Sequence, residues 1–178
     1  MDIRRIANKV AAGEIQTRFL TPEMTILLTQ QVGNEIASAY IYLAMCAWLD
    51  NAGMAGFSKW MNKQSDEEMK HAMKVYGYLL TAGADIALPP IPAPETTWDS
   101  PLSVANATLE HERVVTANWQ SIADRAVKDG DHATKQLSQW FVTEQMEEED
   151  VAVKLVQRLK LAGDGPGLLV IDQELGQR

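Results

Sequence analysis

The chain has one cysteine, Cys46, so no intrachain disulfide can form, and this thiol usage argues for a reducing compartment. It lacks any apolar run approaching the roughly 18 to 20 residues of a membrane-spanning helix. No apolar signal core of about 7 to 15 residues follows its start. The expectation is a cytoplasmic protein with no membrane contact. Positive charge is scarce: 16 Lys and Arg stand against 24 Asp and Glu, giving a net charge of -8 and a pI near 4.9. Such a surface repels nucleic acid and anionic membrane and attracts cations. Internal repeats and low-complexity segments are absent. Residues 1-20 differ locally, with Arg4, Arg5, Lys9 and Arg18 against Asp2 and Glu14. They are read as a flexible N-terminal extension, with a short organelle-targeting or cargo-addressing tail as the alternative.

The 178 residues suit a single domain with a full core. Glycine and proline are also scarce over long stretches, which leaves room for long helices. Thr21-Pro22-Glu23 starts the first, with a hydroxyl cap, a proline at the first helical position and an acid favourable to the dipole. It runs over 22-50, with Leu28, Glu35, Tyr42 and Leu49 repeating at sevens. The second runs over 55-81 and carries Phe57, Met61, Gln64, Glu68, His71, Val75 and Tyr78 along one side. Pro89, Pro90, Pro92 and Pro94 then enforce a long extended connection, which predicts that the third helix runs parallel to the second. The third follows Ser100-Pro101 as far as Asp129, and the fourth spans 132-161. At 1.5 Å per residue, each would measure about 40 to 45 Å. Beyond the glycine-rich break at 162-167, the apolar stretch 168-175 is expected to be a short fifth helix. The predicted architecture is all-α: a four-helix bundle over 21-162, a long crossover between helices two and three, and a C-terminal helix and tail over 163-178.

Chemistry concentrates at mid-helix. Glu68 and His71 are three residues apart and share a helical face, so a carboxylate oxygen and an imidazole nitrogen can converge on one point. Alone, this spacing is ordinary on a solvated face. Glu35, Glu112, Gln145 and Glu148 occupy matching depths on the inward faces of the other helices. Two like charges about 4 Å apart repel by roughly 4 kcal/mol at an effective dielectric of 20, so acids gathered in one core require a cation. Oxygen ligands with one imidazole suit iron, manganese or zinc, and shared acids can bridge two ions.

The segments Asn34-Glu35-Ile36-Ala37-Ser38-Ala39-Tyr40-Ile41-Tyr42, Glu67-Glu68-Met69-Lys70-His71, Leu109-Glu110-His111-Glu112 and Gln139 to Glu149 resemble those of the ferritin family, of the non-haem bacterial type. The resemblance covers roughly 22-176 and implies a ferritin-like bundle acting as a ferroxidase in iron storage and detoxification. It implies that Glu35 binds one iron, Glu68 bridges two, His71 completes the first, Glu112 holds the second and Gln145 sits beside it. Tyr42 corresponds to the family's electron-donating tyrosine, and Trp140 to an oxidisable tryptophan. Bacterial members bind a third iron nearby, and Glu67, Glu144, Glu147 and Glu148 match its positions. The same acids could instead form a path for ions to the inner surface.

The resemblance further implies a 24-subunit homo-oligomeric shell fed with ferrous iron and dioxygen. No haem is expected, because helix four carries Gln145-x-x-Glu148 where haem-binding relatives repeat Glu-x-x-His. Met69 also occurs at its position in non-haem members. Lys135 and Ser138 stand where animal ferritins place channel acids, which leaves the iron access route open. Two rival readings remain: a di-metal oxygenase or reductase, and a subunit that binds iron without oxidising it.

Overall fold

A computed structural model of the chain describes residue 12 and residues 19-177. Most of the expected N-terminal extension, 1-20, therefore lies outside the described residues. Four long helices follow in order, α1 (Pro22–Asn51), α2 (Ala55–Thr81), α3 (Pro101–Asp129) and α4 (His132–Ala162), and then a short α5 (Gly167–Leu175). The architecture is the expected all-α bundle with a short terminal helix. No helix among the described residues is long and apolar enough to cross a membrane.

Local chemistry sets the helix ends. The Thr21 hydroxyl accepts from the Met24 amide at 3.2 Å, and Ser100 and Ser103 form a reciprocal capping box. Asp131 accepts from the Thr134 amide at 2.9 Å to open α4. Gly130 stops α3 with φ +67°, a left-handed conformation that glycine adopts without a Cβ penalty. The observed α1 and α4 each extend one residue beyond the expected ends, to Asn51 and Ala162. Helix α2 has no side-chain cap of its own at Met54. Its Phe57 amide instead donates to Asp172 Oδ1 on α5 at 2.8 Å.

Helices α1 and α2 form one antiparallel hairpin, pinned where Ser65 Oγ donates to the Ala39 carbonyl at 2.8 Å, and α3 and α4 form the other. The Thr21 hydroxyl reaches Asp129 at 3.4 Å, and the Tyr78 and Thr134 hydroxyls meet at 2.8 Å. These contacts gather the start of α1, the ends of α2 and α3 and the start of α4 at one end of the bundle. Helices α2 and α3 therefore run parallel, as the long crossover requires. That crossover packs on α1 at Gly33, where an added Cβ would lie 2.3 Å from Pro89 Cγ.

The core divides into two apolar clusters. One contains Tyr42, Leu49, Phe57, Met61, Val104, Leu155 and Leu159; the other contains Leu28, Val32, Val75, Leu79, Trp119, Ile122 and Phe141. Between them lies a belt of buried polar side chains: Glu35, Glu68, His71, Glu112 and Gln145. Burying the clusters drives the association of the helices, and this holds the belt out of water.

Candidate metal centre

Each long helix contributes to the belt. Heptad spacing on α1 puts Glu35 in line with Leu28 and Tyr42, so the face that buries those side chains also buries Glu35. On α2, Glu68 and His71 lie one turn apart. One ligand atom from each of Glu35, Glu68 and His71 falls within 4.8 Å of the others, and all three residues are buried. The His71 Nδ1 to Glu68 Oε1 distance is 3.7 Å, too long for a hydrogen bond. Glu35 Oε2, Glu68 Oε2 and His71 Nδ1 are all buried without a hydrogen-bond partner.

Buried polar atoms are ordinarily satisfied, and an orphaned one costs about 1–3 kcal/mol. A cation held between these three converging side chains would give such orphans a partner. Two carboxylate oxygens and an imidazole nitrogen suit a divalent ion such as iron, manganese or zinc.

Electrostatics describe the same cluster. Burial, then the Glu68 charge, holds the Glu35 carboxyl well above the usual range, against the opposing pull of Gln31 and His71. Burial, then the Glu112 charge, pushes the Glu68 carboxyl up to about 8. Glu148 is pushed up to about 7, first by burial and next by Glu112 and Glu67. At neutral pH these acids tend to retain protons until a cation replaces them.

A second group adjoins the first. Gln145 Nε2 donates to Glu112 Oε2 at 2.8 Å, and the Tyr42 hydroxyl donates to Glu112 Oε1. Burial and the Glu112 charge push the Tyr42 phenol up, which keeps it a proton donor. The neighbouring His111 ring meets Tyr42 edge-on at 5.7 Å and contacts the Ser38 hydroxyl at 2.8 Å. Burial pushes its imidazole down, towards the neutral form.

Of the remaining expected ligands, Glu148 accepts from Gln64 Nε2 at 3.1 Å. Glu67 and Glu144 are half-buried, and Glu147 is exposed. Trp140 meets His71 edge-on at 5.7 Å, with the Lys74 ammonium 3.6 Å from its ring centre. Lys135 is exposed, whereas Ser138 is fully buried in the bundle.

Two residues of this centre were not singled out as ligand partners by sequence reasoning. Gln31 Nε2 and Trp119 Nε1 both donate to Glu35 Oε1, at 2.9 Å and 2.8 Å. Gln31 was within reach of sequence reasoning because it lies one turn before Glu35. Trp119 reaches Glu35 from another helix, and no spacing within one helix reveals that.

A family model described as a ferritin-like domain matches residues 26–162. A bacterial non-heme ferritin of Bacteroides fragilis is 38% identical over 151 residues, 85% of this chain and 94% of the relative. A probable bacterial non-heme ferritin-like protein of Haemophilus influenzae is 33% identical over 158 residues, covering 88% and 96% of the two chains. Among solved structures, an open-pore ferritin from the hyperthermophilic archaeon Archaeoglobus fulgidus superposes with a TM-score of 0.86 at 39% identity, covering 88% of this chain and 96% of that one.

Proposed function

The chain belongs to the ferritin family, in its bacterial non-haem type, and from that premise we propose that it stores iron by oxidising ferrous ions with dioxygen at the Glu35, Glu68 and His71 centre. The observation that carries this reading is the convergence of three buried ligand side chains, each with a polar atom that has no hydrogen-bond partner.

In this reading Glu35 and His71 hold one ferrous ion, Glu112 holds a second beside Gln145, and Glu68 bridges the two. Each ion gives up one electron. Dioxygen accepts both electrons with two protons and leaves as hydrogen peroxide. The carboxylates stabilise the extra positive charge of the ferric products, and the surrounding apolar clusters keep bulk water away while this happens. Gln145 and Tyr42 orient Glu112 through their hydrogen bonds. Glu67, Glu144, Glu147 and Glu148 hold a third iron or pass ferric ions inward, and the charges of Glu112 and Glu67 felt by Glu148 support this. Ferric product collects as a hydrated oxide inside a 24-subunit shell in the cytoplasm. Leu161, Leu169 and Val170 are 89%, 68% and 57% exposed on the single chain, as side chains awaiting a partner subunit would be. No haem enters this reading.

The test mixes iron-free protein with ferrous iron in aerated buffer and follows ferric absorbance and oxygen uptake. Removing an outer partner of a metal ligand typically costs about 10–100-fold, so loss of the bridging ligand in Glu68→Ala should slow oxidation by at least about 100-fold. A variant as fast as the wild type refutes the centre. Iron binding without oxygen uptake makes the chain a metal buffer instead. Sedimentation as a monomer or dimer refutes the shell.

A further inference from the structure

Glu35 is 1% exposed, and its two oxygens are treated very differently. Oε1 accepts from Gln31 Nε2 at 2.9 Å and from Trp119 Nε1 at 2.8 Å, whereas Oε2 accepts from nothing. A carboxylate oxygen offers about two lone-pair directions, so Oε1 is saturated by these two N–H groups and Oε2 keeps its full capacity.

Both donors are themselves fixed. The Gln31 carbonyl accepts from Asn34 Nδ2 at 3.0 Å, which settles its amide orientation and aims its NH2 at Glu35. Trp119 is fully buried and lies face to face on Phe141, with ring centres 3.7 Å apart and planes 6° apart. Phe141 in turn meets the ligand imidazole of His71 edge-on at 5.5 Å. The indole N–H therefore cannot turn from Glu35 without breaking a stack that also braces His71.

The geometry points to Gln31 and Trp119 as paired positioning residues that reserve Oε2 of Glu35 for the metal, making Glu35 a one-oxygen ligand aimed before any ion arrives. This rests on the metal-centre reading above. It deepens that reading by assigning the two residues that determine how Glu35 binds. Trp119 has the larger part because it acts across helices: it ties α3 and, through Phe141, α4 to a ligand on α1. Without its N–H, Oε1 regains a lone pair, and the carboxylate can rotate or bind through both oxygens.

The test uses Co(II), a redox-inert divalent probe, titrated into the assembled metal-free protein while its visible absorption bands are followed. Trp119→Phe keeps a ring on Phe141 and deletes the donor, and Gln31→Met keeps the length of the other side chain. Each variant should weaken the Glu35-containing site by about 10–100-fold and alter its band pattern as the coordination changes. Leu159→Ala, in the apolar cluster away from Glu35, should lower the melting temperature and leave Co(II) affinity unchanged, which separates positioning from general stability. If both donor variants bind Co(II) within about twofold of the wild type while Glu68→Ala does not, the positioning role falls and the metal centre stands. If the wild type and Glu68→Ala bind alike, both fall.

Discussion

Replacing Glu68 by glutamine preserves the shape of the side chain and removes its ability to ionise. In the native protein this carboxyl is 2% exposed, its Oε2 has no partner, and burial with the Glu112 charge pushes it up to about 8 from the usual 4.5. Because the folded value lies above the unfolded one, the native state keeps a proton that the unfolded chain has lost within this window. Raising the pH from about 4.5 to about 8 therefore favours unfolding of the metal-free protein. Stability from this group is fully present below about 4.5 and is lost as the pH climbs through 8.

Across about 3.5 pH units at about 1.4 kcal/mol each, the ceiling is about 5 kcal/mol. Glu35 and Glu148 share the same field and take up part of the load, so about half of that ceiling is the expected effect. Glu68→Gln, permanently neutral, should then be more stable than the metal-free wild type by about 2–3 kcal/mol at pH 8. For a chain of this size, this raises the melting temperature by about 5–10 °C. The two proteins should converge near pH 4.5. Calorimetry at fixed protein concentration measures the difference, since unfolding of an oligomer depends on concentration. Adding Co(II) should reverse the order at pH 8, because only the wild type keeps the negative charge that binds it. A variant no more stable than the wild type at pH 8, or one equally favoured at pH 5, refutes the reasoning.

Two further substitutions test how the fold supports the centre. Gly33→Ala places a Cβ 2.3 Å from Pro89 Cγ, on a ring that cannot fold away, so the crossover must lift from α1. The expected cost is about 1–3 kcal/mol by denaturant titration, and an unchanged midpoint would show that the crossover is not seated there. Gly56→Ala is more severe, because its Cβ would meet the Asp172 carbonyl oxygen at 1.8 Å and force α5 away from the start of α2. The Phe57 amide, held by Asp172, should then exchange its hydrogen rapidly, while amides near Glu68 should keep their protection.

Much of this protein is readable without coordinates. Caps such as Thr21 and Ser100, the prolines of the crossover and the break at 162-167 act within a few residues of themselves, so helix limits follow to within a residue. The short segment before the C-terminus is helical as expected, yet its role as the cap of α2 was not legible. Met54 announces no cap, and the Asp172 that supplies one lies far along the chain.

The centre divides along the same line. Glu68 and His71 share a face because helical geometry makes neighbours of residues three apart, and Gln31 lies one turn from Glu35 for the same reason. These relations belong to the sequence itself. That Tyr42 and Gln145 share Glu112, and that Trp119 crosses the core to hold Glu35, depends on how far each helix is rotated and raised against its neighbours. One residue of axial slip turns a side chain by about 100° and moves it about 1.5 Å, enough to part any of these pairs. The sequence alone determined which carboxylates and which imidazole face inward; the packing of the two apolar clusters, which sets rotation and height, decided which of them meet and which oxygen of Glu35 is left free.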